Sequence, residues 1–360
     1  MTPSPRTLTL GLTLAAGLAT ATLAGAQTVE RATPPSVPAE VEGRDGVKAY
    51  LLAVLEQTTE ASASLKEHAE GYAALVAEYG SEQAAADSEP EAVAGLISAM
   101  REDYRRLDSY GYEYVEGIVA GVPELSKYDV ELDAGLPAEG AGPDDDVADV
   151  VIDAGDLTLD REGSLNNFLI EPTVFGTNDR FTAGQSDLPK LGQTRLPKAN
   201  LIVALADYAV DGFGRLDADA RAWEPSEKDV LVALSAMTPT LADYFEEWKE
   251  SQLNGGAAGG RFVAVSRVSD MRGIMGSTRL MWGGVESEVR PHDEHLADAV
   301  SRGYDGILAF IDRVESREQA GQLTPEAIDA LGSQAKEQAD QLTAQVDQSA
   351  ALLGIDLEAN

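Results

Sequence analysis

The stretch Asn166-Asn167-Phe168-Leu169-Ile170-Glu171-Pro172-Thr173-Val174-Phe175-Gly176-Thr177-Asn178-Asp179 sits near the middle of a 360-residue chain. Aromatic, β-branched and turn-forming residues crowd it, and segments with helical periodicity flank it on both sides. It reads as the place where two helical halves meet. Glu171 stands there among apolar side chains, and a carboxylate at such a junction suits a ligand site. The competing reading is an interdomain loop whose apolar residues plug the two cores.

Upstream of this junction the chain turns strongly acidic. From Asp129 to Glu162 there are twelve acids and one base, Arg161. Pro137, Gly140, Gly142 and Pro143 interrupt any helix there. Asp144-Asp145-Asp146 reads as a solvated turn, because the alternating ligands and fixed glycine of a calcium loop are absent. Val147 to Leu159 fits either a short helix or an extended piece.

Further upstream the periodicity is helical. Val47, Leu51, Val54, Thr58, Ala61, Leu65, His68, Tyr72, Leu75 and Tyr79 alternate steps of four and three, predicting one long helix over 45–79 that Gly80 ends. His68 lies on that stripe and reads as a packed, hydrogen-bonded histidine, with metal ligation as the competing role. Ser88-Glu89-Pro90-Glu91 reads as a capping box opening a second helix that runs to about Val119. Near its end Tyr110, Tyr112 and Tyr114 crowd Glu113 and Glu116. Tyrosines there suit either the wall of a polar cavity or a boundary between core and solvent.

Downstream, residues 184–197 read as a linker. Helical spacing resumes over 199–223. Ser226-Glu227-Lys228-Asp229 caps the next helix, which Pro239 kinks or restarts. Gly255 to Gly260 is a loop without the Lys and Ser/Thr of a phosphate-binding loop. Helices follow over 262–282 and 288–317, and Thr324-Pro325-Glu326 opens the last one. With no convincing β pattern, the expected fold is all-α, with two helical bundles of about four helices each packed through the central junction.

The N-terminus reads as a secretory signal over 1–26. Arg6 is followed by the apolar run Leu8 to Leu23 and the cleavage pattern Ala24-Gly25-Ala26. That run is too short for a membrane span. Residues 27–44, with three prolines, form a tether. The remaining boundaries are a first bundle over 45–165, a junction over 166–198 and a second bundle over 199–360. The expectation is a soluble exported protein, periplasmic or otherwise, without membrane insertion once the signal is removed. The chain has no cysteine, which excludes disulfides and thiolate metal sites. Its net charge is −35, and loss of Arg6 with the signal makes it −36. That balance argues against nucleic acid and anionic membrane surfaces, and is compatible with cation binding or with plain solubility.

Tyr112-Glu113-Tyr114-Val115-Glu116-Gly117-Ile118-Val119-Ala120 resembles the Tyr-Glu-x-x-Glu-x-x-Ala motif of the imelysin-like family, which includes exported EfeO-type iron-uptake proteins. Tyr128-Asp129-Val130-Glu131-Leu132-Asp133 is similar to that family's Asp-rich segment, and the order of elements from Phe262 onward is similar too. The resemblance implies a two-bundle fold with a metal site in the cleft between bundles. The family's Gly-x-His-x-x-Glu motif corresponds to Asn166 through Glu171, with Glu171 kept and Phe168 in the histidine's place. Phenylalanine has no lone pair for a metal, and imidazole is the ligand that favours transition metals. By resemblance the ligand set is therefore Glu116, Asp133 and Glu171, with Phe168 and Tyr112 on the cleft wall. Iron or a hard divalent cation is the implied cofactor, and a membrane uptake component the implied partner. The alternative is a non-metal binding or scaffold protein of the same fold with a vestigial site, whose cleft takes a small ligand. No H-E-x-x-H, cysteine nucleophile or G-x-S-x-G elbow is present, so a binding protein is expected rather than a peptidase. His292 and His295, three residues apart, read either as a second metal pair or as a polar first helical turn.

Overall fold

A computed structural model describes residues 43–142, 145–251 and 261–357. The expected signal, nearly all of the tether, Asp144 and the Gly255–Gly260 loop lie outside these residues. The fold is all-α. Its first element, α1 (Gly43–Tyr79), is the long helix that the stripe predicts. Val47, Leu51, Val54, Thr58, Ala61, Leu65 and Tyr72 are buried along it, and Gly80 ends it at φ +85. His68 Nδ1 lies 2.6 Å from Asp103 Oδ2, so this histidine is packed and hydrogen-bonded.

The next segment departs from expectation. Ser88 closes a short helix, α2 (Glu82–Ser88), which Ser81 caps. Then α3 (Pro90–Leu107) starts with proline at its first turn and without a side-chain cap. It stops at Asp108 instead of running to Val119. The turn that follows admits only glycine at 111, where a Cβ would lie 2.6 Å from the Leu107 carbonyl and 2.8 Å from Thr58 Oγ1. The chain turns through a 3-10 segment, Tyr112–Tyr114, into α4 (Glu116–Val119) and α5 (Ser126–Asp129). A π-helical turn, Val130–Ala134, follows.

The stretch Val147 to Leu159 is extended rather than helical: β1 (Val151–Asp153) pairs antiparallel with β2 (Thr158–Asp160). The central junction is a second π-helical turn, Leu165–Ile170, leading into α6 (Glu171–Val174). The expected linker over 184–197 is instead a hairpin of β3 (Thr182–Leu188) and β4 (Gly192–Pro197), with Ser186 opposite Thr194. Its polar strands lack the alternation that marks a half-buried strand, which hid it from periodicity.

The remaining helices are α7 (Ala199–Ala222), α8 (Glu227–Met237), α9 (Asp243–Glu250), α10 (Arg267–Val289), α11 (Glu294–Gln319) and α12 (Pro325–Leu352). Ser226 and Asp229 form a capping box on α8, and Pro239 starts a 3-10 turn between α8 and α9. Helix α1 packs along α7 and α3, while α12 lies on α11, α8 and α9. Helix α10 touches α8, α11 and α1. One continuous apolar core runs from Val47 to Ala350. No helix among the described residues is long and apolar enough to cross a membrane.

Candidate metal centre

The breaks in helical continuity converge on one place. Asp108 sits where α3 stops, Glu113 on the 3-10 turn, Glu116 at the start of α4 and Asp133 on the first π-helical turn. The second π-helical turn packs against the first and brings Asn166 and Asn167. Single π-helical turns recur at functional sites because they re-aim side chains that a regular helix would spread around its circumference. Helix α10 supplies Arg267 and Asp270 from its first turn. All of these side chains are buried.

Asp108, Glu113 and Asp133 each present an oxygen within 4.8 Å of the others. Asn166 Nδ2 donates to Asp108 Oδ1 at 2.8 Å, and Asn167 Nδ2 donates to Asp133 Oδ1 at 2.9 Å. Tyr104 donates to Asn167 Oδ1 at 3.3 Å, which orients that amide. Ser164 donates to the Asp133 carbonyl and ties the two π-helical turns together. On the opposite side Arg267 Nη1 donates to Glu113 Oε1 at 3.0 Å and to Asp270 Oδ2 at 2.9 Å. Glu247 takes the other edge of that guanidinium at 2.7 Å. Phe262 and Tyr244 lie 4.5 and 5.0 Å from it, and Tyr244 donates to Glu116 Oε1 at 2.9 Å.

Acceptors outnumber donors here. Glu113 Oε2, Glu116 Oε2, Asn166 Oδ1 and Asp270 Oδ1 are buried without a hydrogen-bond partner. The Asn166 oxygen and any ionised carboxylate among them can only accept, and an unmet buried acceptor costs about 1–3 kcal/mol, more when charged. Burial, reinforced by Glu113 and Glu171, pushes the Asp108 carboxyl up to about 7. Burial with Asp108, Glu113 and Asp129 nearby raises Asp133 well above the carboxylate range. Glu116 and Asp270 are raised in the same way, burial first and Glu113 next. Glu113 is thus a neighbour that raises each of Asp108, Asp133, Glu116 and Asp270. Like charges this close cannot all ionise in a dry site without added positive charge, from protons or from a cation.

Of the three acids that the family pattern implies, Asp133 is in the tight group, and Glu116 lies outside it, accepting from the Tyr244 hydroxyl. Glu171 does something else. Its Oε2 accepts from the Phe262 N–H at 2.6 Å, and its Oε1 accepts from Val263 and Ala264, both at 2.8 Å. It anchors the segment entering α10. Tyr112 is buried, with its hydroxyl donating to Asp129 Oδ1 at 2.8 Å and its ring against Phe213. Phe168 is half-buried; it covers Gly163, and the Arg261 guanidinium lies 4.0 Å from its ring centre. His292 and His295 are exposed, and Asp293 between them caps α11 through the Leu296 N–H.

Asp108, Arg267 and Asp270 lie outside the short motifs that mark Glu116, Asp133 and Glu171. The sequence signal for Asp108 is local: Asp-Ser-Tyr-Gly is a turn-forming run inside an otherwise helical pattern. For Arg267 and Asp270 no local signal exists, since their role depends on residues about 150 positions away, as in the Arg267–Glu113 pair. Comparison with protein-family models and with curated proteins finds no match to this chain.

Proposed function

We propose that this chain is a cation-binding protein whose ligands are the carboxylates of Asp108, Glu113 and Asp133. The single observation that carries the reading is the excess of buried acceptors, above all Glu113 Oε2, over the donors that reach them. Glu116 completes the negative wall, and Asn166 Oδ1 is a further oxygen open to an ion. An all-oxygen donor set suits hard cations such as calcium, magnesium, manganese or ferric iron, and not thiophilic or imidazole-seeking metals. The resemblance to imelysin-like proteins adds an exported location and a place in metal uptake, by binding and delivery rather than catalysis. In this reading Glu171 is a positioning residue, holding the backbone of 262–264 and with it the start of α10, where Arg267 lies.

Titration calorimetry of the chelator-stripped protein tests this. Calcium, manganese and ferric ions are added in turn to wild type, Asp133→Asn and Glu171→Gln. At least one ion binds wild type with one-to-one stoichiometry, Asp133→Asn weakens it by roughly 10–100-fold, and Glu171→Gln retains it. Wild type that binds none of these ions, or Asp133→Asn with undiminished affinity, would overturn the proposal. The first result returns the chain to a helical binding or scaffold protein.

A further inference from the structure

A cavity away from the acid cluster has the opposite electrostatic character. It lies between the C-terminal half of α3, the turn after α6 and the β3–β4 hairpin, with a volume of about 670 Å³. Ligand sites span roughly 300–1,000 Å³. Arg101, Arg105 and Arg195 line it, with the polar side chains of Gln185, Gln193 and Thr194, and none of its lining residues is acidic. In a chain of net charge −35 that is a local reversal of sign.

The arginines are held in place. Arg101 and Arg105 are four apart on α3 and so share a face. Arg101 Nε donates to the Val174 carbonyl at 2.9 Å and Nη2 to the Phe175 carbonyl at 3.4 Å. Arg105 Nε donates to the Ala264 carbonyl at 3.1 Å. Both guanidinium carbons lie 5.3 Å from the centre of the Phe175 ring. Carbonyls and a ring face orient these groups without neutralising them. Burial and the neighbouring Arg105 accordingly lower Arg101 to about 10. Arg105 has Glu102 at 3.5 Å, and Arg195 pairs with Asp179. Neither of those acids is part of the cavity lining.

We infer that this cavity binds a small polyanion carrying two or more carboxylate or phosphate groups. Guanidinium forks match both oxyanions by paired hydrogen bonds, and three of them around one volume favour a ligand with several charges over a single one. Gln185, Gln193 and Thr194 add uncharged polar contacts that set its orientation.

The test is calorimetry on the full chain at low ionic strength, with pyrophosphate and tricarballylate as probes and chloride as the reference anion. At least one probe binds with one-to-one stoichiometry. Arg101→Gln and Arg195→Gln each weaken it by roughly tenfold or more, while the exposed Arg302→Gln and the cation-site variant Asp133→Asn leave it unchanged. Pyrophosphate binding alone assigns a phosphate ligand, and tricarballylate alone a carboxylate one. Should Arg101→Gln fail to fold, Arg195→Gln decides. The inference is overturned if neither probe binds up to about 10 mM. It is also overturned if Arg195→Gln binds like wild type, or if Asp133→Asn abolishes binding. The last result would place the anion at the cation cluster.

Discussion

Asp108 and Glu171 are both buried acids, and their neighbours give them different work. Glu171 receives three backbone N–H groups, and those bonds offset part of the cost of burial. Glu171→Gln keeps one acceptor oxygen and turns an amide toward a backbone donor. We expect a loss of about 1–3 kcal/mol in stability, read by denaturant unfolding. Asp108 faces other acids instead. Its folded value of about 7 lies above the ordinary 3.8 of the unfolded chain, so the folded state holds its proton longer. The sign follows: without a cation, this group's penalty is absent below pH 4, grows as pH rises, and is complete above 7. Asp108→Asn removes that penalty, since the amide oxygen can still accept from Asn166. At pH 8 without cation the variant should be more stable than wild type by a few kcal/mol, at about 1.4 kcal/mol per pKa unit. The advantage should vanish near pH 4, and thermal unfolding across pH measures both ends.

At the scale of elements, regular structure was legible where an apolar stripe recurs. The 4-3 spacing of Val47 through Tyr72 carries α1, and Ser226 with Asp229 marks the start of α8. Side chains alone decide those features. The end of α3 is signalled only by the short run Asp108-Ser109-Tyr110-Gly111, too brief to stand out from the helical spacing around it. The hairpin over 182–197 is hidden because most of its strand residues are polar, with Leu188 and Leu196 as the few apolar ones buried, and because it packs on α2 from another part of the chain. Of the candidate site, Glu116 and Asp133 came into view through short family motifs. Asp108 and Arg267 belong to a constellation that exists only after the helices break and pack. Gly111→Ala tests whether that break is required. The added methyl must displace the carbonyls of Arg106 and Leu107, so we expect destabilisation of about 1–3 kcal/mol. Cation affinity should fall with it, since Gly111 lies between Asp108 and Glu113.

Across the whole molecule the charge is divided. A strongly acidic chain buries several of its acids around a single guanidinium, Arg267, and sets a separate arginine cavity behind α3. Water-facing acids cost little, but the buried group works against folding unless it is neutralised. Cation binding should therefore stabilise the protein more at pH 8 than at pH 5, where a proton already occupies Asp108. Unfolding temperatures with and without calcium or manganese at the two pH values check this. Protons and cations compete for the same oxygens, so the most direct measurement is proton release. Binding heats of the favoured cation are measured at pH 7 in two buffers of different ionisation enthalpy. Net proton release to the buffer is expected on ion binding, because Asp108 is near its midpoint and burial among other acids raises Asp133. Binding heats independent of the buffer would place the ion on exposed, already ionised carboxylates and contradict it.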